Sequence, residues 1–377
     1  MDSVISIFKE RIKQAIANGQ TLRIQGGNTK HFYGEHNTSH TVLDTRECAD
    51  VVSYEPSELV VTVRCGTSLA ELEQLLSAQG QCLAYEPPHF GASATVGGMV
   101  AASLAGPARA NVGGVRDHVL GAKMINGLGE ELTFGGQVMK NVAGYDVSRV
   151  LAGSMGTLGI ITEVSLKVLP VAPAQATLVC KLSQHDALEL LHRWGAQALP
   201  LNASVWLSDS SSGATSEVLF LRLRGAVAAV ESACPRMMAD VQALGGTAAR
   251  MDAPQAEQHW RATREQSLPF FQAPSPELCL WRLSLPQTAP LLDLPYPVCV
   301  EWHGGMRWLW APASAATQLR HAAQQAGGHA TVFRRAQAGV INTPVFSELP
   351  VVQQRIQREL QKQFDPNGVF NTGRLGI

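Results

Sequence analysis

Four short stretches of this chain combine glycine with small or polar residues in a way that serves chemistry at the backbone. They are "LRIQGGNTK" at 22–30, "TVGGMVAASLAG" at 95–106, "KNVAGYD" at 140–146 and "GSMGTLGII" at 153–161. Successive amides in a tight glycine turn form a concavity that holds an anion such as a phosphate, and a side chain there would block the approach. The first stretch lacks the G-x-x-x-x-G-K-[ST] spacing of a Walker loop and the three-glycine dinucleotide fingerprint. Taken singly, each stretch reads as a turn or bulge. Four of them between residues 22 and 161 read better as the lining of one long cofactor.

Other reactive side chains carry less. The seven cysteines (Cys48, Cys65, Cys82, Cys180, Cys234, Cys279, Cys299) are scattered, with no CxxC pair. That pattern predicts reduced, buried thiols and neither an iron–sulfur cluster nor structural zinc. His31, His36 and His40 are spaced for a metal, but no carboxylate pattern accompanies them, and they read as loop histidines. No metal site is assigned.

The totals bound the setting. A chain of 377 residues fits about two domains. Hydrophobic residues at 45% and charged ones at 16% describe a soluble globular protein, and a net charge of −1 supplies no global field for nucleic acid or anionic lipid. The opening "MDSVISIFKERIKQAIANG" alternates apolar and charged residues rather than forming the core of a signal peptide. No apolar run is long enough to span a membrane, and the cytoplasm is the expected compartment.

The elements that must position the glycines follow from periodicity. Ile5, Phe8, Ile12 and Ile16 form a helical stripe over 3–18. Leu22–Gln25, "HTVLDT" and "LVVTVRCG" read as strands, and Thr67 or Ser68 can cap a helix ended by Gly80. Residues 86–114 are small and glycine-rich without being polar. Strands at "VLGAKMING", "ELTFGG" and Ile160–Leu169 surround a helical "DVSRVLAGS", and Pro170 and Pro173 mark a boundary near 172. Beyond it, strand–helix–strand–strand–helix (174–243) is followed by a comparable set over 277–335. A helix over 350–363 and the irregular "FDPNGVFNTGRLGI" close the chain. Antiparallel pairs with helices on one face are an α+β arrangement.

The series "RIQGGNTK", "GASATVGG", "GVRDHVLGAKMI" and "KNVAGYDVSRVLAGSMGTLGIITEVSLKVLP" resembles the FAD-binding domain of the p-cresol methylhydroxylase/vanillyl-alcohol oxidase superfamily. Within it the chain is most similar to the FAD-binding subunits of bacterial glycolate oxidases. The resemblance runs through residues 1–172 and resumes in "DPNGVFNTGRL". It implies an α+β protein with a two-subdomain FAD-binding domain (1–172), a ferredoxin-like α/β substrate or cap domain (173–340), and a C-terminal segment (341–377) returning to the first. It implies that Gly26, Gly27, Asn28, Thr29 and Lys30 hold the FAD pyrophosphate. Gly91, Thr95, Gly97, Gly98, Ser103 and Gly106 would lie along the diphosphate, ribityl and isoalloxazine. Gly156 belongs to the glycine stretch at 153–161, Ile160 and Ile161 would close over adenine or ring edge with backbone contacts, and Asn371 would sit near the flavin ring.

Two departures from the family pattern bear on chemistry. Some members attach FAD through a histidine in the first loop; Asn28 occupies that place here, so the expectation is non-covalent FAD. Relatives acting on D-2-hydroxy acids carry H-x-G-D-G-N-x-H in the second domain, whereas "WHGGMRWLW" keeps only His303 and Gly305. Oxidising a 2-hydroxy acid needs a base for the hydroxyl proton and a cation for the carboxylate. His303, Arg307 and Arg264 are weak candidates for these roles. The resemblance therefore implies a subunit of a complex that oxidises glycolate to glyoxylate, working beside a larger FAD-linked subunit and an iron–sulfur subunit. That places it in the cytoplasm or, through its complex, peripheral to the inner membrane. A stand-alone FAD-dependent D-2-hydroxyacid dehydrogenase, an NADPH-dependent reductase of the same fold, and a flavin-carrying assembly subunit are the alternatives.

Overall fold

Phe8, Ile12 and Ala15 recur on one helical face, and α1 (Asp2–Ala17) buries that face. The computed structural model describes residues 2–36, 41–136, 146–209, 216–338 and 343–376. The chain separates into two units. Met1–Ala105, Gly113–Val171 and Glu348–Ile377 form the first; Gly106–Val112 and Ala172–Ser347 form the second. Among the described residues no helix is long and apolar enough to cross a membrane.

In the first unit, β1 (Leu22–Gln25) pairs in parallel with β2 (Thr41–Asp44). β3 (Val51–Glu55) and β4 (Val60–Arg64) lead to α2 (Leu69–Ser77), whose cap is Ser68, then to β5 (Gln81–Cys82) and α3 (Val96–Ala102). The short α4 (Arg109–Val112) falls in the excursion that joins the second unit. α5 (Val115–His118), β6 (Val119–Ile125), β7 (Glu131–Gly135), α6 (Val147–Val150), β8 (Ile160–Lys167) and β9 (Leu169–Pro170) complete this part. The main sheet runs β3-β4-β8-β6-β7, antiparallel throughout, and β5 pairs with β9. On central β8 the buried Glu163 takes Arg64 at 2.9 Å from one neighbour and Lys123 at 3.0 Å from the other. A carboxylate in a sheet interior needs such partners to remain charged.

The second unit is one eight-stranded sheet built from two similar sets. The first is β10 (Ala174–Lys181), α7 (Gln184–Gly195), β11 (Leu201–Asp209), β12 (Ser216–Gly225), α8 (Val227–Ala243) and β13 (Thr247–Arg250). After α9 (Ala253–Arg264) come β14 (Leu278–Ser284), β15 (Val298–Glu301), β16 (Met306–Pro312), α10 (Ala316–Gln325) and β17 (His329–Arg334). The order β13-β10-β12-β11-β15-β16-β14-β17 gives each set a fourth-first-third-second arrangement, and the two second strands join antiparallel. β13 and α9 are elements that the periodicity did not reveal.

The sets differ in one place. α7 connects β10 to β11, whereas residues 285–297 connect β14 to β15 without a helix. Leu292, Leu294 and Tyr296 of that segment pack against the core of Trp281, Leu309 and Leu319. Arg307 on β16, 1% exposed, donates to the carbonyls of Pro290 (2.6 Å) and Ala289 (2.7 Å). It pins the connection that stands in for a helix.

The chain ends in the first unit with α11 (Val351–Phe364). Both carboxylate oxygens of Asp365 then accept backbone N–H groups, from Val369 (2.9 Å) and Phe370 (2.8 Å). This turn aims the tail at β1, where Leu22 N–H donates to Val369 O (2.7 Å) and Asn371 N–H to Leu22 O (3.0 Å).

Candidate functional site

β1 runs directly into Gly26-Gly27-Asn28-Thr29-Lys30, and this loop forms one wall of an open cleft in the first unit. Thr95, Gly97 and Gly98 at the start of α3, Gly156, Ile161 on β8, and Asn371 from the tail line the same cleft. The structure therefore brings three of the glycine stretches and the tail together. The fourth lies outside the described residues over 140–145, as does His40.

The glycines have a different immediate reason from the one read in the sequence. A Cβ on Gly27 would stand 1.5 Å from the carbonyl oxygen of Ser93, one on Gly26 2.4 Å from Thr95 Oγ1, and one on Gly97 2.7 Å from Cys65 Cβ. Side chains here would strike the neighbouring loop before they obstructed a ligand. Gly26 and Gly27 let loop 26–30 lie on segment 91–98, and Gly97 lets the start of α3 lie on Cys65. Asn28 adopts the left-handed region (φ 59), a conformation asparagine tolerates better than most residues. Thr95 caps α3, its Oγ1 accepting from Gly98 N–H at 3.3 Å.

Four of the cofactor candidates do not line the cleft. Gly91 (φ 149) backs it by admitting the Thr29 side chain, whose Cγ2 would be 3.0 Å from a Cβ there. Ser103 ends α3 in the left-handed region. Ile160 is fully buried, its side chain on the opposite face of β8 from Ile161. Gly106 belongs to the second unit, where its carbonyl accepts the Trp302 indole N–H at 3.0 Å.

The tail holds the cleft walls. Asn371 Oδ1 accepts Ile24 N–H (2.9 Å) and its Nδ2 donates to Met155 O (2.6 Å). Arg374 donates to Glu35 O (2.9 Å), His31 O (2.6 Å) and Tyr33 O. Arg374 and Arg23 are lining residues the sequence reading missed; arginine in a strand or tail carries no signal until its burial is known.

The cleft is also electrostatically one-sided. Arg23, Lys30, His31 and Arg374 line it, and among the described residues no aspartate or glutamate does. Burial first, then the Arg374 and Arg23 charges, hold the His31 imidazole below its ordinary range. Lys30 Nζ is steered by His89 O (3.0 Å) and Thr29 Oγ1 (3.3 Å). In a chain of net charge −1, a local concentration of cations beside a glycine cradle suits a phosphorylated ligand. The residues present fit a dinucleotide such as FAD.

The second unit does not assemble its three candidates into one site. His303 sits in the turn between β15 and β16 (φ 57), 9% exposed, with both its backbone N–H and its Nδ1 on Ser204 Oγ at 2.9 Å. Burial pulls its pKa down to about 4. Arg307, a weak candidate for the carboxylate-binding cation, is instead buried in a strand with its guanidinium on two carbonyls. Arg264 ends α9 and pairs with the adjacent Glu265 at 2.9 Å. A group the sequence reading passed over is Glu301, 6% exposed, whose pKa burial raises to about 7.

Comparison with known proteins places these features. A family model described as an FAD binding domain matches residues 8–135. The chain is 42% identical, over 97% of its length and 95% of the relative's, to the glycolate oxidase subunit GlcE of Escherichia coli K12. It is 31% identical to the glycolate oxidase subunit GlcD of Bacillus subtilis over 49% of this chain and 38% of that one. A solved alkyldihydroxyacetonephosphate synthase shares the fold, with a TM-score of 0.68 over 97% of this chain and 73% of that one, at 15% identity.

Proposed function

This chain belongs to the family of the glycolate oxidase subunit GlcE, and on that premise we propose that it is the FAD-binding subunit of a complex that oxidises glycolate to glyoxylate. The observation that carries this reading is the 42% identity along nearly the whole chain, through both units and the tail. FAD, when bound, supplies a two-electron acceptor for oxidation of the hydroxyl-bearing carbon. The chain's own residues bind and orient it. The amides of Gly26–Lys30 would take phosphate oxygens, Lys30 and Arg23 would balance their charge, and Asn371 and Arg374 keep the walls in register. With Asn28 at the position of the attaching histidine, the cofactor is held without a covalent bond.

A role inside a complex is supported by what the second unit does with its polar residues. Taking the hydroxyl proton and gripping the carboxylate need an accessible base and cation. His303 and Arg307 are instead engaged by Ser204 and by the 285–297 connection. We therefore place the substrate chemistry with a larger FAD-linked partner, and electron exit with an iron–sulfur partner. The seven cysteines include no CxxC pair of the kind that holds a cluster.

Purification of the tagged chain from its own host tests the proposal. The expected result is co-purification of an FAD-linked and an iron–sulfur chain, with glycolate bleaching the flavin of the assembly and not that of the isolated subunit. A partnerless chain, or one whose own flavin is bleached by glycolate, would overturn it in favour of a stand-alone dehydrogenase.

A further inference from the structure

Two cleft-lining side chains have atoms that the protein leaves unmatched. Arg23 Nε and Gln25 Oε1 are buried and have no hydrogen-bond partner, and no other lining residue among those described contributes such an atom. They sit two residues apart on β1, so they project from the same face of the strand with roughly 6.6 Å between their Cα atoms. One is a donor on a permanent cation, the other an acceptor. With no carboxylate lining the cleft, Arg23 also lacks a counter-charge there. A buried donor and a buried acceptor left open are costly unless a ligand closes both.

We propose that Arg23 and Gln25 form a paired subsite for a nucleotide, Arg23 taking a phosphate oxygen and Gln25 Oε1 accepting a sugar hydroxyl. This rests on the reading of the cleft as an FAD site and adds to it a residue-level selection. The glycine loops offer neutral amides that any phosphate could use, whereas this pair demands an anion and a hydroxyl a few bonds apart. A nucleotide has that constitution in either half of FAD, as phosphate with ribityl or phosphate with ribose. Arg23 makes the binding salt-dependent, and Gln25 makes it depend on a sugar.

The test is equilibrium binding to the full-length apoprotein, with flavin fluorescence reporting FAD, FMN and riboflavin, and calorimetry reporting ADP. R23M is expected to weaken FAD at least about tenfold and to flatten its salt dependence. R23K is expected to keep the salt dependence with a smaller loss, and riboflavin binding is expected to be unchanged in both, which also shows that the variants are folded. Q25L is expected to weaken FAD about fivefold or more; FMN and riboflavin weaken with it and ADP does not if the hydroxyl is ribityl, whereas ADP weakens with it and FMN and riboflavin do not if it is ribose. FAD binding by R23M and Q25L within twofold of the parent, or equal losses for riboflavin and FAD in R23M, would overturn the subsite. A parent chain that binds FAD at no concentration would overturn the FAD reading itself, and the subsite with it.

Discussion

Gly27 has the narrowest tolerance of any residue in the cleft. The 1.5 Å approach of a Cβ to Ser93 O cannot be relieved by a rotamer change, because Ser93 O is backbone and the Cβ position is fixed by the backbone of residue 27. G27A is expected to push loop 26–30 off segment 91–98, to lower stability by roughly 2–3 kcal/mol as an overpacking change, and to abolish FAD retention. Gly195, at the end of α7 with nothing within 4 Å, is the contrast: G195A is expected to leave FAD retention intact and to be neutral or stabilising by up to about 1 kcal/mol. Urea unfolding and flavin content of the two variants check both. At the same scale, His303 and Glu301 set opposite pH slopes in the second unit. Below pH 6.5 the unfolded chain protonates its histidine while folded His303 resists until about 4, so stability falls as pH drops through that window. Above pH 4.5 the unfolded chain ionises its glutamate while folded Glu301 holds its proton to about 7, so stability falls as pH rises through that window. Each effect amounts to about 3 kcal/mol at full extent. E301Q is expected to stabilise the chain at pH 8 and to do little at pH 4.5; H303N is expected to remove part of the loss between pH 6.5 and 4. Denaturant melts across pH that moved the other way would refute these assignments.

Between elements, the informative contact is Arg307 on the segment 285–297. If Arg307 served a substrate carboxylate, its removal would impair binding and spare the fold. As the pin of that connection, R307M is expected to lower stability by about 2–4 kcal/mol, since two buried carbonyls lose charge-assisted partners. Proteolysis is expected to open at 285–297, with FAD retention in the first unit unchanged. What could be read from sequence at this scale follows from how local each cause is. The glycine loops are visible because glycines after a strand mark a turn or a close approach whichever distant segment does the approaching. The family resemblance names Ile160 and Ile161 together; only strand alternation on β8 separates the one facing the cleft from the one in the core. Arg23, Gln25 and Arg374 were silent because a polar residue's task depends on which partners the fold withholds or supplies. Asn371 was named through family resemblance; its bonds to Ile24 and Met155 join residues far apart in the chain.

For the molecule as a whole, the second unit shows where sequence reasoning stops. Its two strand–helix sets could be seen in the periodicity, yet their fusion into one eight-stranded sheet through β11 and β15 could not. That junction is a pairing between residues near 205 and near 300, and neither strand's pattern names its neighbour. The excursion of 106–112 into the second unit was hidden for the same reason, and it moved Gly106 out of the cofactor set. The first unit was legible further, since its cleft is made where the chain passes through successive glycine turns and is closed by one tail segment. The central claim is that this cleft holds FAD without a covalent bond. The most direct measurement is the flavin content of the purified full-length chain after acid precipitation. Stoichiometric FAD is expected, released entirely into the supernatant; absence of flavin, FMN in its place, or flavin that stays with the precipitated protein would show that the cleft does not hold FAD in this way.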